Sequence, residues 1–280
     1  MNKILSLLFG CLIFLFIFSL GSCGNQDKII RVAASDIPHA QVLKECAADL
    51  LKEKGYKLVV KPLDWEFPND SVAQGDFDAN YFQHIPYLNE YKGKVELFAA
   101  CKVHYEPLGI YRGKSTGPLS EAKTISICDD TSNAIRAFNL LFEKGVITNT
   151  PVSNGKLNFT GTEWISENGV KIKLISEAML ASSLPDYDFS CLPCNTAFTA
   201  KVKNEKVAYE DNSELVSQNA NIIAARLKDY QNDKKYRAKI DALVEVMLSE
   251  EVSQYFKIKY NNVMTCDSTT QIDLRFVIGN

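Results

Sequence analysis

Asp78-Ala79-Asn80-Tyr81-Phe82-Gln83-His84-Ile85-Pro86-Tyr87 decides how the rest of this chain is read. It begins like the end of a strand, opens into a crowd of rings, and stops at a proline one turn into what could be a helix. Tyr81, Phe82, His84 and Tyr87 put four rings within seven residues, with the amides of Asn80 and Gln83 close by. Strand ends that hand over to such loops line small-ligand clefts in α/β proteins. The same residues also suit an ordinary core, with Tyr81 and Phe82 buried and His84 capping or packing. This stretch by itself leaves both readings open.

Outward from it, strand and helix patterns alternate. Ile29 to Ala34 reads as a buried strand. Val42, Leu43, Cys46, Ala47, Leu50 and Leu51 then have helical spacing, which predicts a helix over Ala40 to Lys54 closed by Gly55. Lys57 to Leu63 is the next strand, followed by the loop Asp64 to Asn69, a short helix and the turn Gln74-Gly75-Asp76. Beyond Leu108 to Tyr111, another strand, composition shifts at Arg112-Gly113-Lys114-Ser115-Thr116-Gly117-Pro118 and the alternation restarts. Thr124 to Cys128 is a strand, and Asp129-Asp130-Thr131-Ser132 opens a helix that runs to Lys144 and closes at Gly145. Strands follow over Val170 to Ile175, Asp188 to Leu192 and Asn221 to Ala225, then helices over Asp233 to Leu248 and Glu250 to Phe256. Two such runs predict two α/β lobes with a cleft between them. The first lobe is expected to hold 29–112 with 226–280, the second 113–225.

A net charge of −3 over 280 residues argues against nucleic-acid binding and polybasic membrane attachment. No general base, nucleophile pair or metal cluster is visible, so neither an enzyme nor a metal site is expected. His39, His84 and His104 are scattered, and only the weak His104-x-Glu106 has ligand-like spacing. Of eight cysteines, Cys46, Cys101, Cys128, Cys191, Cys194 and Cys266 remain for the folded chain once Cys11 and Cys23 are assigned to the N-terminal signal. Their pairing cannot be read from spacing. Cys191-Leu192-Pro193-Cys194 keeps open an alternative reading as an exported thiol–disulfide enzyme, although buried free thiols are the simpler expectation.

The N-terminus carries Lys3, then an apolar run from Ile4 to Leu20, then Leu20-Gly21-Ser22-Cys23. This resembles the lipobox of bacterial lipoproteins and implies a signal peptide over 1–22, acylation of Cys23 and a polar tether over 23–28. The competing reading is an uncleaved anchor, since the run approaches the roughly 18 residues a membrane span needs.

Asp129 to Arg136 is the second informative stretch. A helix start places free N–H groups beside Asn133 and Arg136, three apart on one face and expected in the first turn. With a guanidinium there, the site suits a carboxylate. Asn195 and Asn221 follow or open strand-like runs, where an amide could accept from an ammonium or simply make a turn.

Taken together, the residues 78–88, the run His104-Tyr105-Glu106-Pro107-Leu108-Gly109-Ile110-Tyr111 and the helix start with Asn133 and Arg136 resemble the methionine-binding lipoproteins of bacterial ABC importers (NlpA type). The similarity extends from Ile29 to about Phe256; the tail after Tyr260 departs from it, as do Asp129, Ser132 and the Cys191–Cys194 segment. The resemblance implies a two-lobe periplasmic-binding-protein-like fold. It implies Trp65 as a pocket aromatic and Phe82, His84 and Tyr87 as a side-chain cage. Asn133 and Arg136 match the carboxylate-binding pair, and Asn195 and Asn221 the polar residues of the second lobe and hinge. The implied ligand is L-methionine, a short methionine peptide or a related amino acid. The implied partners are an ABC permease and its ATPase, with the chain a monomer held at the cell membrane by lipid and facing the periplasm or exterior. No cofactor is implied. A surface lipoprotein that keeps the fold but serves as an adhesin is the remaining alternative.

Overall fold

A computed structural model of the chain describes residues 26–211 and 218–260. The expected signal peptide, Cys23 and Cys266 lie outside the described residues, as does the tail after Tyr260.

β-Branched and small apolar residues form β1 (Ile29–Ala34), buried along most of its length. The helix that follows has π-helical turns at Asp36–Ala40 and Leu43–Ala47 before the regular α1 (Ala48–Glu53). Ile37, ahead of Pro38, is extended (φ −112°, ψ 131°), so the continuous helix starts after it, close to the expected Ala40. Gly55 closes it with φ +79°, as expected of a C-terminal cap. β2 (Lys57–Pro62) pairs in parallel with β1. α2 (Pro68–Gln74) ends on Gly75 in the left-handed region, and β3 (Ala79–His84) pairs in parallel with the other edge of β1.

The chain continues through α3 (Ile85–Glu90), β4 (Leu97–His104), β5 (Leu108–Arg112), β6 (Thr124–Cys128) and α4 (Thr131–Glu143). Three pieces that hydrophobic patterning did not reveal come next: the hairpin β7 (Val152–Ser153) and β8 (Lys156–Leu157), then β9 (Glu163–Ile165). These strands are too short for a period to show. β10 (Lys171–Ile175), α5 (Glu177–Leu180), β11 (Phe189–Pro193), α6 (Cys194–Thr199) and β12 (Lys206–Tyr209) follow. β13 (Asn221–Arg226), α7 (Leu227–Asn232), α8 (Lys234–Met247) and α9 (Glu250–Tyr260) complete the described chain.

The strands form sheets ordered β2-β1-β3-β13-β4 and β12-β5-β11-β6-β10-β9, beside the β7–β8 hairpin. The α/β class is therefore as expected. The chain divides into two compact units, the first made of residues through Tyr81, Gly93–Ala100 and Ala224–Ser249, the second of Phe82–Lys92, Cys101–Ile223 and residues from Glu250 on. This division differs from the lobes expected at 112/113 and 225/226. β5 pairs with β11 and β12 inside the second unit's sheet, so the Gly- and Ser-rich stretch at 112–118 is a connection within that unit. α9 also belongs to the second unit, where Phe256 stacks on His104 at 4.6 Å and Tyr260 meets Phe198 edge-on.

Each unit has its own core. In the first, α8 packs on β1 and α1, burying Ile240, Leu243 and Met247. In the second, Ala134, Ala137, Phe138 and Leu141 recur at helical spacing on α4 and pack with Ile125, Ile127, Ile172 and Phe189 of the sheet. That packing fixes which face of α4 remains for other work.

Candidate ligand-binding site

In the second unit, β10, β6 and β11 run parallel. Ligands in open α/β sheets sit beyond the carboxyl ends of such strands. Polar residues gather there: Asp130 and Asn133 after β6, Glu177 after β10, and Asn195 with Thr196 after β11.

Asp130 caps α4: its Oδ1 accepts from Asn133 N at 2.9 Å and from the Ser132 hydroxyl at 2.7 Å. Asn133 Nδ2 donates to Asp130 Oδ2 at 3.0 Å, which turns the amide oxygen toward Arg136 Nη1, 2.9 Å away. Because the helix starts at Thr131, Arg136 lies in its second turn and not the first as expected. The free N–H groups of the helix start therefore do not explain its charge. Its counter-anion is Glu210, just past β12, which accepts from Nε at 3.1 Å and Nη2 at 2.6 Å. Nη2 also donates to the Glu106 carbonyl at 2.9 Å. Glu210 further accepts from the Tyr105 hydroxyl at 2.8 Å and Leu108 N at 2.9 Å. Burial pushes its carboxyl up, but the guanidinium and these hydrogen bonds outweigh burial and hold it below the ordinary carboxylate value.

His84 ends β3 and resolves the two readings of the opening stretch in an unexpected way. Its Nδ1 accepts from Tyr87 N at 3.2 Å, so it caps α3 and must carry its proton on Nε2. Nε2 in turn lies 3.5 Å from Asn133 Oδ1. One ring thus caps a helix and reaches the Asn133–Arg136 pair. Burial, then the nearby Arg136 charge, pushes His84 down to about 4, so the imidazole is neutral at pH 7. Phe82 meets Tyr87 edge-to-face at 5.7 Å, and both rings are half-buried. Tyr81, by contrast, is a fully buried core residue of the first unit, against His39.

Asn195 Oδ1 accepts from Thr196 N at 2.8 Å, and the Thr196 hydroxyl donates to Glu177 Oε1 at 2.7 Å. Asn221 is buried at the start of β13. Trp65 belongs to the first unit, half-buried between β2 and α2. His104 Nε2 and Glu106 Oε1 are 2.9 Å apart and buried, and burial pushes His104 down to about 3, which makes this pair a neutral-ring hydrogen bond.

Among the described residues, Cys128, Cys191 and Cys194 are free thiols. Cys191 and Cys194 are buried, and burial pushes both thiols well up. A nucleophilic redox thiolate needs the opposite shift and some exposure, so the CxxC spacing reflects a strand running into α6.

Asp130, Glu177, Tyr105 and Glu210 were missed from sequence. Glu177 carried a usable signal, a carboxylate directly after a parallel strand. Glu210 carried none, because 74 residues separate it from Arg136.

Polar side chains collected at the carboxyl ends of parallel strands, with rings beside them, define a small-ligand-binding α/β protein. The chain belongs to the NlpA lipoprotein family, whose model matches residues 30–265, slightly past the Tyr260 at which the similarity was expected to stop. The methionine-binding lipoprotein MetQ of Bacillus subtilis (strain 168) is 34% identical over 273 residues, covering 92% of this chain and 97% of that one. A protein of Ruminococcus gnavus ATCC 29149, described as a lipoprotein, matches at 37% identity with a TM-score of 0.74, over 86% of this chain and 99% of its own. A nutrient binding protein from Burkholderia cenocepacia, solved bound to methionine, matches at 26% identity and a TM-score of 0.72, over 85% of this chain and 99% of its own.

Proposed function

We propose that this chain is a lipid-anchored substrate-binding protein that takes up methionine and hands it to an ABC permease and its ATPase. The observation that carries the reading is that His84, Asn133 and Arg136, from segments far apart in sequence, join in one hydrogen-bonded cluster. It is supported by relatives that are named for methionine binding or were solved with methionine bound.

Arg136 takes the ligand carboxylate through its Nη1 edge together with Asn133, while Glu210 holds the guanidinium in place. Phe82 and Tyr87 offer the ring surfaces that a thioether prefers, where sulfur–ring contacts add about 0.3–1.5 kcal/mol beyond burial. Asn195 and Asn221 supply further polar contacts. Cys23 carries the lipid at the outer face of the cell membrane, and no helix among the described residues is long and apolar enough to cross one.

Isothermal titration of ligand-stripped protein with L-methionine, methionine dipeptides and other amino acids tests the reading. Saturable binding of methionine with a Kd in the micromolar range or below is expected. The absence of both heat and thermal shift with every methionine compound would overturn it.

A further inference from the structure

The cluster around Arg136 is unbalanced in charge. The Arg136 guanidinium stands among Glu210, Asp130 and Glu177, and it is already matched by the bidentate contact with Glu210. Asp130 is used by the cap of α4, with both oxygens accepting from Asn133 and Ser132. Glu106 accepts from His104. Glu177 differs: Oε1 takes the Thr196 hydroxyl, and Oε2 accepts no hydrogen bond from any described residue. Through Thr196 its carboxylate is tied to Asn195, and it follows β10 at the same sheet end as Asp130 and Asn133.

We infer that Glu177 is a specificity residue of this site, its Oε2 accepting the α-ammonium of a free amino-acid ligand. The inference rests on the reading of the site as an amino-acid receptor. A zwitterion suits the charge pattern. Its carboxylate meets the Arg136–Asn133 edge, and its ammonium supplies a positive charge to the open oxygen of Glu177. A ligand without a free amino group would instead bring a second anion among carboxylates. The titration behaviour agrees. Burial pushes Glu177 up to about 7, the Thr196 hydroxyl opposes it, and Asp130 and Glu106 add to it while Arg136 pulls it down. Cys128, the other group that senses it, has its thiol pushed up by burial and stays neutral. An arriving ammonium would draw the proton off and leave a charge-assisted pair.

The test is calorimetry on wild type, Glu177→Gln and Glu177→Asp with three probes: L-methionine, N-acetyl-L-methionine and 4-(methylsulfanyl)butanoic acid, which lacks the amino group. Wild type is expected to prefer methionine to the desamino acid by at least about 100-fold. Glu177→Gln should weaken methionine at least about tenfold, leave the desamino acid unchanged or tighter, and so collapse the preference. Glu177→Asp, which keeps the charge, should retain part of it. The ratio is read within one protein, so a modest loss of folding does not disturb it. If wild type binds methionine and Glu177→Gln keeps the same preference within twofold, the inference is overturned while the receptor reading stands. If wild type binds no methionine, both fall.

Discussion

Each unit buries an ion pair, and the two pairs are built differently. In the first unit Lys239 Nζ lies 3.3 Å from Asp78 Oδ1, Arg31 N donates to Asp78 Oδ2 at 2.7 Å, and the Tyr236 hydroxyl donates to the Asp78 carbonyl at 2.5 Å. One cation meets one anion, and the surrounding donors come from β1 and α8, the elements the pair joins. In the second unit Arg136 and Glu210 pair at 2.6 Å, yet Asp130 and Glu177 lie in the same region, where Asp130 raises Glu177 and Arg136 lowers it. The first arrangement fastens segments of chain together. The second holds a charged group still and leaves negative charge over, which is what a recognition site for a zwitterion requires.

The largest expected effect comes from breaking the second pair. Arg136→Ala leaves Glu210 buried without its partner and should cost about 3–5 kcal/mol of stability by denaturant titration, with loss of methionine binding. Arg136→Met combined with Glu210→Gln removes both charges, so most of the stability should return while binding does not. Full methionine affinity in that double variant would make the pair ordinary structural glue.

Breaking the first pair should do the reverse. Lys239→Met leaves Asp78 with its backbone donor only and should cost roughly 1–3 kcal/mol of stability. Its methionine affinity should stay within about twofold of wild type. A Kd change much larger than the stability change predicts would erase the contrast between the units.

The pH dependence of stability sharpens the comparison, because the titrating groups cluster in the second unit. His84 and His104 have folded values of about 4 and about 3, below their ordinary 6.5. Folded protein then binds fewer protons than unfolded protein, so their stabilisation is complete above pH 6.5 and is lost as pH falls through the folded values. Glu177, raised from 4.5 to about 7, acts oppositely: its contribution is present below 4.5 and is lost as pH rises to 7. The two trends partly cancel between pH 4.5 and 6.5. Glu177→Gln should therefore steepen the acid loss there by up to about 1.4 kcal/mol per pH unit. It should also be the more stable protein at pH 8, by an amount of the order of 1–3 kcal/mol. Identical pH profiles for variant and wild type would show that Glu177 is not perturbed.

The smallest effect concerns the rings. Phe82→Ala should weaken methionine by about 10- to 30-fold, the worth of lost apolar and sulfur–ring contact, and alanine much less. Equal weakening of both ligands would mean that Phe82 serves only to support Tyr87.

The alternation of the longer strands and helices, the closure of α1 at Gly55, and the shared face of Asn133 and Arg136 were legible in the chain alone, because periods, caps and i, i+3 neighbours are set by residues a few positions apart. Where the units divide was decided by pairing: the Gly- and Ser-rich stretch at 112–118 looks like a boundary, but β5 finds its partners in β11 and β12. The partner of Arg136 was likewise settled in space, since Glu210 reaches it across 74 residues. His84 joins the two levels, capping α3 through its neighbour Tyr87 and meeting Asn133 only once the second unit is folded. Backbone geometry and short-range hydrogen bonds are written locally, whereas the balance of buried charge depends on which distant side chains the packing of the sheet brings together.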